Sequence, residues 1–375
     1  MSARYPFKIA FNLAQLCGLM LFSNTVTADT PLGWINSSNP AAYTTTAGEF
    51  EISLASLAVN DTIDFLNVRD DLVANNRRLA GDSGDLNGGK LELHYGITES
   101  LSVFYRQQQH RLTVDLGTIN SVSLIDIDKS LNTTQQSLGF KWTFFESNLL
   151  KSDNRRSAAS LEISGYSNKS DDFDVVIDEI NLDNLQIFFR DPQTFSVADL
   201  EDEGWKARLV YSFSLERMGV ASIWAAYGES EATSGTTSDL TSATFRRFFE
   251  QSFELEESYL YLGASLTMQL TPRLPLTISY EAINISDSNF KQFPEDPPAQ
   301  LPGFLSAANQ SDEDINHTLR VSLGYWLTPR LNVNLTGNLY SNQFLGVLPH
   351  YNNPLSGSFS TLPYGFAGIE LSYNF

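Results

Sequence analysis

The chain has 375 residues, of which 42 % are hydrophobic, 18 % charged and 12 % aromatic. Its 44 acidic and 24 basic residues give a formal net charge of −20. This balance argues against a nucleic-acid-binding protein, because neutralising phosphates needs many lysines and arginines. The one cysteine, Cys17, lies in the N-terminal leader described next. We therefore expect no disulfide framework, thiolate metal site or cysteine nucleophile in the mature protein.

The N-terminus predicts export. Residues 1–8 contain Arg4 and Lys8 and no acid, and residues 9–22 are mostly apolar. Val26-Thr27-Ala28 then offers the small residues that a signal peptidase reads. We predict a cleaved signal peptide over 1–28 and a polar lead-in over 29–47 that is able to enter a lumen as a small plug. The mature chain would carry 22 basic and 44 acidic residues.

After residue 28 the chain alternates between apolar and polar residues and has no run near the roughly 20 apolar residues of a spanning helix. Alternation with period two is typical of strands with one apolar face. It is clearest at the C-terminus, where the apolar set is Ile369, Leu371, Tyr373 and Phe375. The intervening residues are Gly368, Glu370, Ser372 and Asn374.

Short and long connections also alternate. Tight links such as Thr271-Pro272-Arg273 and Thr328-Pro329-Arg330 contrast with long polar segments such as 171–202, 232–257 and 288–315. This pattern predicts an all-β fold, a transmembrane antiparallel barrel with short periplasmic turns and long extracellular loops. We count about twelve strands, with ten or fourteen as alternatives, in one barrel over 48–375. The predicted strands are 48–58, 89–98, 101–115, 133–147, 158–170, 203–216, 219–231, 258–271, 274–287, 316–328, 331–344 and 365–375.

The ending Gly-Ile-Glu-Leu-Ser-Tyr-Asn-Phe resembles the C-terminal signal of Gram-negative outer-membrane β-barrels. The resemblance is to the class and to no family within it. It implies that the barrel-assembly machinery reads Ile369, Leu371, Tyr373 and Phe375. It also implies a location in the outer membrane, with membrane lipids and lipopolysaccharide as partners.

If the apolar set faces lipid, the other set faces the lumen. Its ionisable residues are Glu51, Glu92, His94, Arg106, Lys141, Glu162, Lys206, Arg208, Glu281, Arg320 and Glu370. Strand order predicts that Glu92 lies near Arg106, that Lys141 lies near Glu162, and that closure brings Glu51 beside Glu370. These residues either line a pore that sorts solutes or crosslink a closed wall. Interior width grows with strand number, and twelve strands leave both open.

We expect a narrow porin, a diffusion channel or transporter for a small polar or amphipathic solute. The alternative is a closed barrel acting through its acidic loops as an adhesin, receptor or structural envelope protein. The 171–203 loop carries eleven acids against Arg190, which we take as a solvated surface and not as a metal site. Segment 240–253 holds four phenylalanines, including Phe253, which would cluster if it is helical.

A lipid-modifying enzyme is the third hypothesis, because some twelve-stranded outer-membrane barrels are lipid hydrolases. None of the four histidines (His94, His110, His317 and His350) stands in the His-x-Ser arrangement of outer-membrane phospholipases. No Gly-x-Ser-x-Gly nucleophile motif is present. We therefore expect no enzyme, cofactor or nucleic-acid partner. The solute and the oligomeric state are left open.

Overall fold

The computed structural model describes residues 40–59, 85–113, 122–127, 130–150, 153–182, 185–215, 219–243, 246, 250–293, 315–341 and 364–375. The predicted signal peptide and most of the lead-in therefore lie outside the described residues. So do His350 and three of the four phenylalanines of segment 240–253, namely Phe245, Phe248 and Phe249.

The described part of the chain contains fourteen strands. They are β1 (Phe50–Val59), β2 (Asp85–Thr98), β3 (Leu101–Thr113), β4 (Val122–Ile127), β5 (Ser130–Leu150), β6 (Asp153–Ser170), β7 (Phe173–Leu182), β8 (Leu185–Ser214), β9 (Gly219–Ser238), β10 (Gln251–Thr271), β11 (Leu274–Phe293), β12 (Ile315–Trp326), β13 (Leu331–Ser341) and β14 (Tyr364–Asn374). Within these described residues, no helix is both long enough and apolar enough to cross a membrane.

Twelve of these strands form a closed antiparallel ring. The ring follows chain order except that β4 and β7 are left out, and it closes where β1 pairs with β14. In that pairing Glu51 lies opposite Asn374, and Ala58 lies opposite Ala367. Strands β7 and β4 extend the sheet from the first half of β8. The predicted twelve-stranded barrel is confirmed.

Each barrel strand has one exposed apolar face and one buried, mostly polar face. Leu335 and Leu138 are 57 % and 67 % exposed, whereas Ser222 and Thr336 are buried. Aromatic side chains add to the exposed set: Tyr95, Trp142, Trp205, Tyr227, Tyr280 and Tyr373. An apolar outer band with aromatic residues, around a polar interior, is the pattern of a barrel surrounded by lipid.

The strands on one side of the ring are much longer than those on the other. Strands β8 to β11 have 20 to 30 residues each, whereas β12 to β14 have 11 or 12. The prediction that 171–202 is a loop is wrong, because β7 and the first half of β8 form a hairpin there. The predicted loops 232–257 and 288–315 likewise contain the ends of β9, β10 and β11.

These extensions were missed because their pattern is inverted. Above Leu260, the outward residues of β10 become polar (Glu254 and Glu256), and the inward residues include the buried apolar side chains of Phe253 and Leu255. Phe253 lies in β10, where it stacks on Phe290 of β11 with ring centroids 6.0 Å apart. Outside lipid the outer face meets water, so apolar residues are buried on the inner face.

The depth of the apolar band can be measured by substitution. Leu335 lies midway along β13, between Leu323 and Ile369, and Leu331 lies at the turn. We expect Leu335→Arg to lower the free energy of unfolding by about 2–4 kcal/mol and Leu331→Arg by about 0–1 kcal/mol. Denaturant unfolding in lipid vesicles, followed by tryptophan fluorescence, checks this. Equal losses would contradict a band centred near Leu335.

Candidate functional site: the barrel interior

A chain of ion pairs runs along the interior wall. Lys90 Nζ lies 2.7 Å from a Glu92 carboxylate oxygen and 3.9 Å from Glu370. Arg106 Nε lies 3.4 Å from Glu92. The register explains these contacts, since Glu92 of β2 lies directly opposite Arg106 of β3. Arg320 of β12 reaches the same Glu370 carboxylate at 3.9 Å.

The ion pairs continue through Glu162 of β6, which is 1 % exposed. Arg208 Nη2 donates to its carboxylate at 2.6 Å, and Arg106 Nη1 lies 3.6 Å from the other oxygen. Arg208 is the residue directly opposite Glu162 on β8. Together, these residues form a charged belt that links strands from β12 round to β8. The charged belt comprises Arg320, Glu370, Lys90, Glu92, Arg106, Glu162 and Arg208.

The remaining wall, on β9 to β11, carries a cluster of aromatic and apolar side chains among polar ones. Tyr259, Tyr261 and Ile283 form a buried cluster there with Ala226. The Trp224 indole N–H donates to Glu281 at 2.7 Å. We call Trp224, Ala226, Tyr259, Tyr261 and Ile283 the aromatic arc. Lys206 Nζ lies over the Tyr261 ring, 4.7 Å from its centroid, a favourable cation–π position.

A segment before β1 lies inside the barrel. We call residues 40–48 the strap. Lys141 Nζ donates to the carbonyl oxygens of Ala41 at 2.8 Å and Tyr43 at 3.3 Å, and the Thr143 hydroxyl donates to that of Ala42 at 2.7 Å. The Ala42 amide donates to the Ser212 hydroxyl at 2.8 Å. The strap is therefore tied to β5 and β8 by its backbone.

The strap spans the interior near the short-turn end. The Ser265 hydroxyl of β10 donates to the Pro40 carbonyl at 3.2 Å. Tyr43 packs against Val220 and Trp326, which lie at the short-turn ends of β9 and β12. The Gly48 amide donates to the Gly96 carbonyl of β2 at 2.8 Å.

Gly96 also lets the strap approach β2 closely. A Cβ at Gly96 would lie 1.9 Å from the Thr46 carbonyl oxygen. Residue 96 must therefore be glycine for the strap to occupy this position.

Several sequence-predicted neighbours meet as expected. Glu92 pairs with Arg106, and Lys141 lies directly opposite Glu162. His94 is buried on the interior face beside Phe104, with ring centroids 5.8 Å apart.

One predicted neighbour pair is wrong. Glu51 lies opposite Asn374, and Glu370 lies opposite Ala55, so the two glutamates are four residues apart in register. Acidic and basic side chains alternate along the interior wall. Glu162 lies among Lys141, Arg106 and Arg208.

Lys90 and the aromatic arc were missed by sequence reasoning. Lys90 is in phase with Glu92 and His94 on β2, so the alternation itself was a sufficient signal. Trp224, Tyr259 and Tyr261 lie at inward positions of β9 and β10, but an aromatic residue in an alternating strand reads equally well as lipid-facing. The sequence of the strap shows no alternation of apolar and polar residues that could have identified it.

The outer surface above the apolar band is acidic. An outward concavity of about 570 Å³ is lined by Glu203, Glu229, Glu231, Glu256, Asp287 and other polar residues. Beside it, Lys291 donates to Glu254 at 2.5 Å and to Glu256 at 2.8 Å. These bonds lower the pKa of Glu256 and raise the pKa of Lys291. Among the described residues, no three His, Cys, Asp or Glu side chains form a group able to hold a metal ion.

The closed ring, the lipid-facing band and the polar interior define a β-barrel of the Gram-negative outer-membrane class. In that class the short turns lie on the periplasmic side and the long loops outside the cell. The strap is thus at the periplasmic end. No protein-family model matches the chain, and no curated protein does.

Solved outer-membrane structures resemble the fold. A Pseudomonas aeruginosa FadL homologue has a TM-score of 0.48 and 10 % identity, covering 92 % of this chain and 93 % of that one. The translocator domain of the autotransporter NalP from Neisseria meningitidis has a TM-score of 0.46 and 8 % identity, covering 98 % and 95 %. The KdgM porin has a TM-score of 0.35 and 6 % identity, covering 87 % and 99 %. The class assignment itself rests on the geometry of the barrel.

The charged belt predicts a large difference between two glutamates. Glu162→Gln leaves the half-buried Arg208 without its carboxylate in a pair whose acid is buried, so we expect a loss of about 3–5 kcal/mol in the free energy of unfolding. Glu201→Gln breaks the exposed ion pair with Lys169 and should cost less than about 1 kcal/mol. Denaturant titration of both variants measures the losses. A loss at Glu162 as small as that at Glu201 would mean that the interior is fully hydrated.

Proposed function

We propose that the chain is a narrow diffusion channel for small polar or amphipathic solutes across the outer membrane. The observation that carries this proposal is the charged belt on the inner wall of a closed twelve-stranded ring, with the aromatic arc on the inner faces of β9 to β11. We expect the belt to meet the polar groups of a solute.

The charged belt supports permeation by polar solutes. Charged rings in pores sort solutes by their field, and this belt carries four cations (Lys90, Arg106, Arg208, Arg320) against three carboxylates (Glu92, Glu162, Glu370). Since the signs are nearly balanced, we expect weak ion selectivity. The belt instead offers a succession of donors and acceptors for polar groups.

The aromatic arc supports permeation by solutes with an apolar part. Tyr259, Tyr261 and Trp224 lie on the inner faces of β10 and β9, and Lys206 lies over the Tyr261 ring. We expect the apolar part of a solute to contact these rings. Twelve strands enclose a lumen wider than the filled interior of eight-stranded barrels but narrower than that of 16–18-stranded porins, which suits a small solute.

A second candidate function is favoured by the acidic concavity on the outer surface. In that case the barrel would be closed, and its extracellular surface would act as a receptor or adhesin. Conductance distinguishes the two functions, because only the channel carries ions through the barrel.

Single-channel recording in a planar bilayer tests the channel. We expect discrete conductance steps from the refolded chain. Removing one lumen cation with Arg320→Gln should shift the reversal potential in a KCl gradient towards cation preference, because the interior then carries one positive charge fewer. Lys169→Gln removes a cation at the exposed long-loop end of β6 and should produce a smaller shift.

Because Lys141 binds the strap, the Lys141→Met variant is recorded as well. Absence of steps from both the parent and this variant, with folding verified by heat-modifiable gel mobility, would contradict the channel and favour the second candidate. Equal shifts from Arg320→Gln and Lys169→Gln would place the ion path outside the charged belt.

A further inference from the structure

We propose that the strap is a releasable closure of the periplasmic end, that Lys141 is its latch, and that Glu162 competes with the strap for Lys141. The proposal rests on the proposed channel function, since a closure matters only where the interior conducts. Its core claim, that strap release depends on these two side chains, is measurable without conductance.

The strap is held by polar contacts of its backbone and by buried apolar contacts. Three consecutive carbonyls, those of Ala41, Ala42 and Tyr43, accept hydrogen bonds from Lys141 and Thr143 of β5. Its buried apolar contacts are those of Ala42 with Val210 and Trp224 and of Tyr43 with Val220 and Trp326. Docking of the strap therefore depends on the hydrogen bonds to β5 as well as on this packing.

The position of the strap makes it a closure. Its contacts reach β5 and β8 on one side of the ring, β10 on another, and the β2–β3 turn, where the Thr44 hydroxyl donates to the Glu99 carbonyl at 2.9 Å. Ala42 of the strap is 0 % exposed. The strap therefore crosses the periplasmic end of the lumen.

Lys141 has a second partner within reach. It lies directly opposite Glu162 on β6, while its ammonium group donates hydrogen bonds to the carbonyl oxygens of Ala41 and Tyr43. The Glu162 carboxylate is meanwhile occupied by Arg208 and Arg106. A hydrogen bond between two charged groups is stronger than one from a charged group to a neutral carbonyl. Lys141 thus stays on the strap only while the two arginines hold Glu162.

This competition couples the charged belt to the strap. An anionic group that pairs with Arg208 or Arg106 would withdraw a cation from Glu162. Lys141 would then move to Glu162 and leave the carbonyls of Ala41 and Tyr43. Binding of an organic anion in the belt would thus be linked to opening of the periplasmic end. The coupling free energy would be the difference between the free energy of Lys141 bound to Glu162 and that of Lys141 bound to the strap.

Strap release is read by thiol labelling. The probe is Ala41→Cys in a Cys17→Ser background, since Cys17 is the only natural cysteine, and Ala41 is buried. A bulky, water-soluble maleimide should react slowly with the refolded parent. Lys141→Met removes two charged hydrogen bonds and should raise the labelling rate about tenfold or more. Lys169→Met, at the opposite end of the barrel, serves as the matched control and should leave the rate unchanged.

The competition by Glu162 is read by a pair of substitutions. Arg208→Gln releases one oxygen of Glu162, so it should accelerate labelling even though Arg208 does not touch the strap. Adding Glu162→Gln removes the competing carboxylate, and the double variant should label as slowly as the parent. Benzoate, a carboxylate with an aromatic body, should accelerate labelling of the parent but not of the double variant. Heat-modifiable mobility verifies that each variant is folded.

Each outcome decides a separate part of the proposal. An unchanged rate in Lys141→Met, and in a second variant, Thr143→Ala, would overturn the latch. An unchanged rate in Arg208→Gln, or fast labelling in the double variant, would overturn the competition by Glu162, and an unchanged rate with saturating benzoate would overturn the coupling to anions. If Lys141→Met labels fast yet conducts like the parent, the strap is not the closure. If the labelling rates follow the prediction while neither the parent nor Lys141→Met conducts, the channel function is contradicted and the role of Lys141 as latch is supported.

Discussion

Every feature of this barrel depends on the hydrogen bonds between its first and last strands. The pairing of β1 with β14 joins residues as distant in sequence as Ser53 and Ser372, whose hydroxyls lie 2.7 Å apart. Without it, two strand edges would face hydrocarbon with no water to satisfy them. Closure gives each strand an outer face and an inner face. The outer face contacts lipid and is apolar, whereas charged side chains contact one another on the inner face.

The part of the fold within the membrane was predictable from sequence. In β13 and β14, lipid on one side and polar neighbours on the other impose strict alternation of apolar and polar residues. The number of strands, the positions of the turns and the lipid-facing residues could therefore be predicted. The extensions of β8 to β11 were not, because two opposite patterns share one strand. In β10 the outward series runs from Leu262 and Leu260 to Glu256 and Glu254. The apolar outward pattern stops at the boundary of the lipid-facing band, so it predicts the end of the strand there although the strand continues.

The candidate site was predictable where it depends on neighbouring strands joined by short turns. Glu92 and Arg106 lie on the two strands joined by one such turn, so their pairing follows from counting residues back from the turn on each strand. The expected contact of Glu51 with Glu370 failed because those strands meet only through closure, and the register of closure is set by the whole ring. The strap was beyond prediction in detail, since its contacts are backbone carbonyls, which carry no sequence signal.

The strap also constrains the order in which the chain assembles. Its partners are spread along the chain: Gly96, Lys141, Ser212 and Ser265 contact residues between 40 and 48. Its polar partners lie on β2, β5, β8 and β10, so the strap is fully docked only once these four strands share one wall. Contacts so distant in sequence carry a large loop-closure cost, which the surrounding wall must already have met.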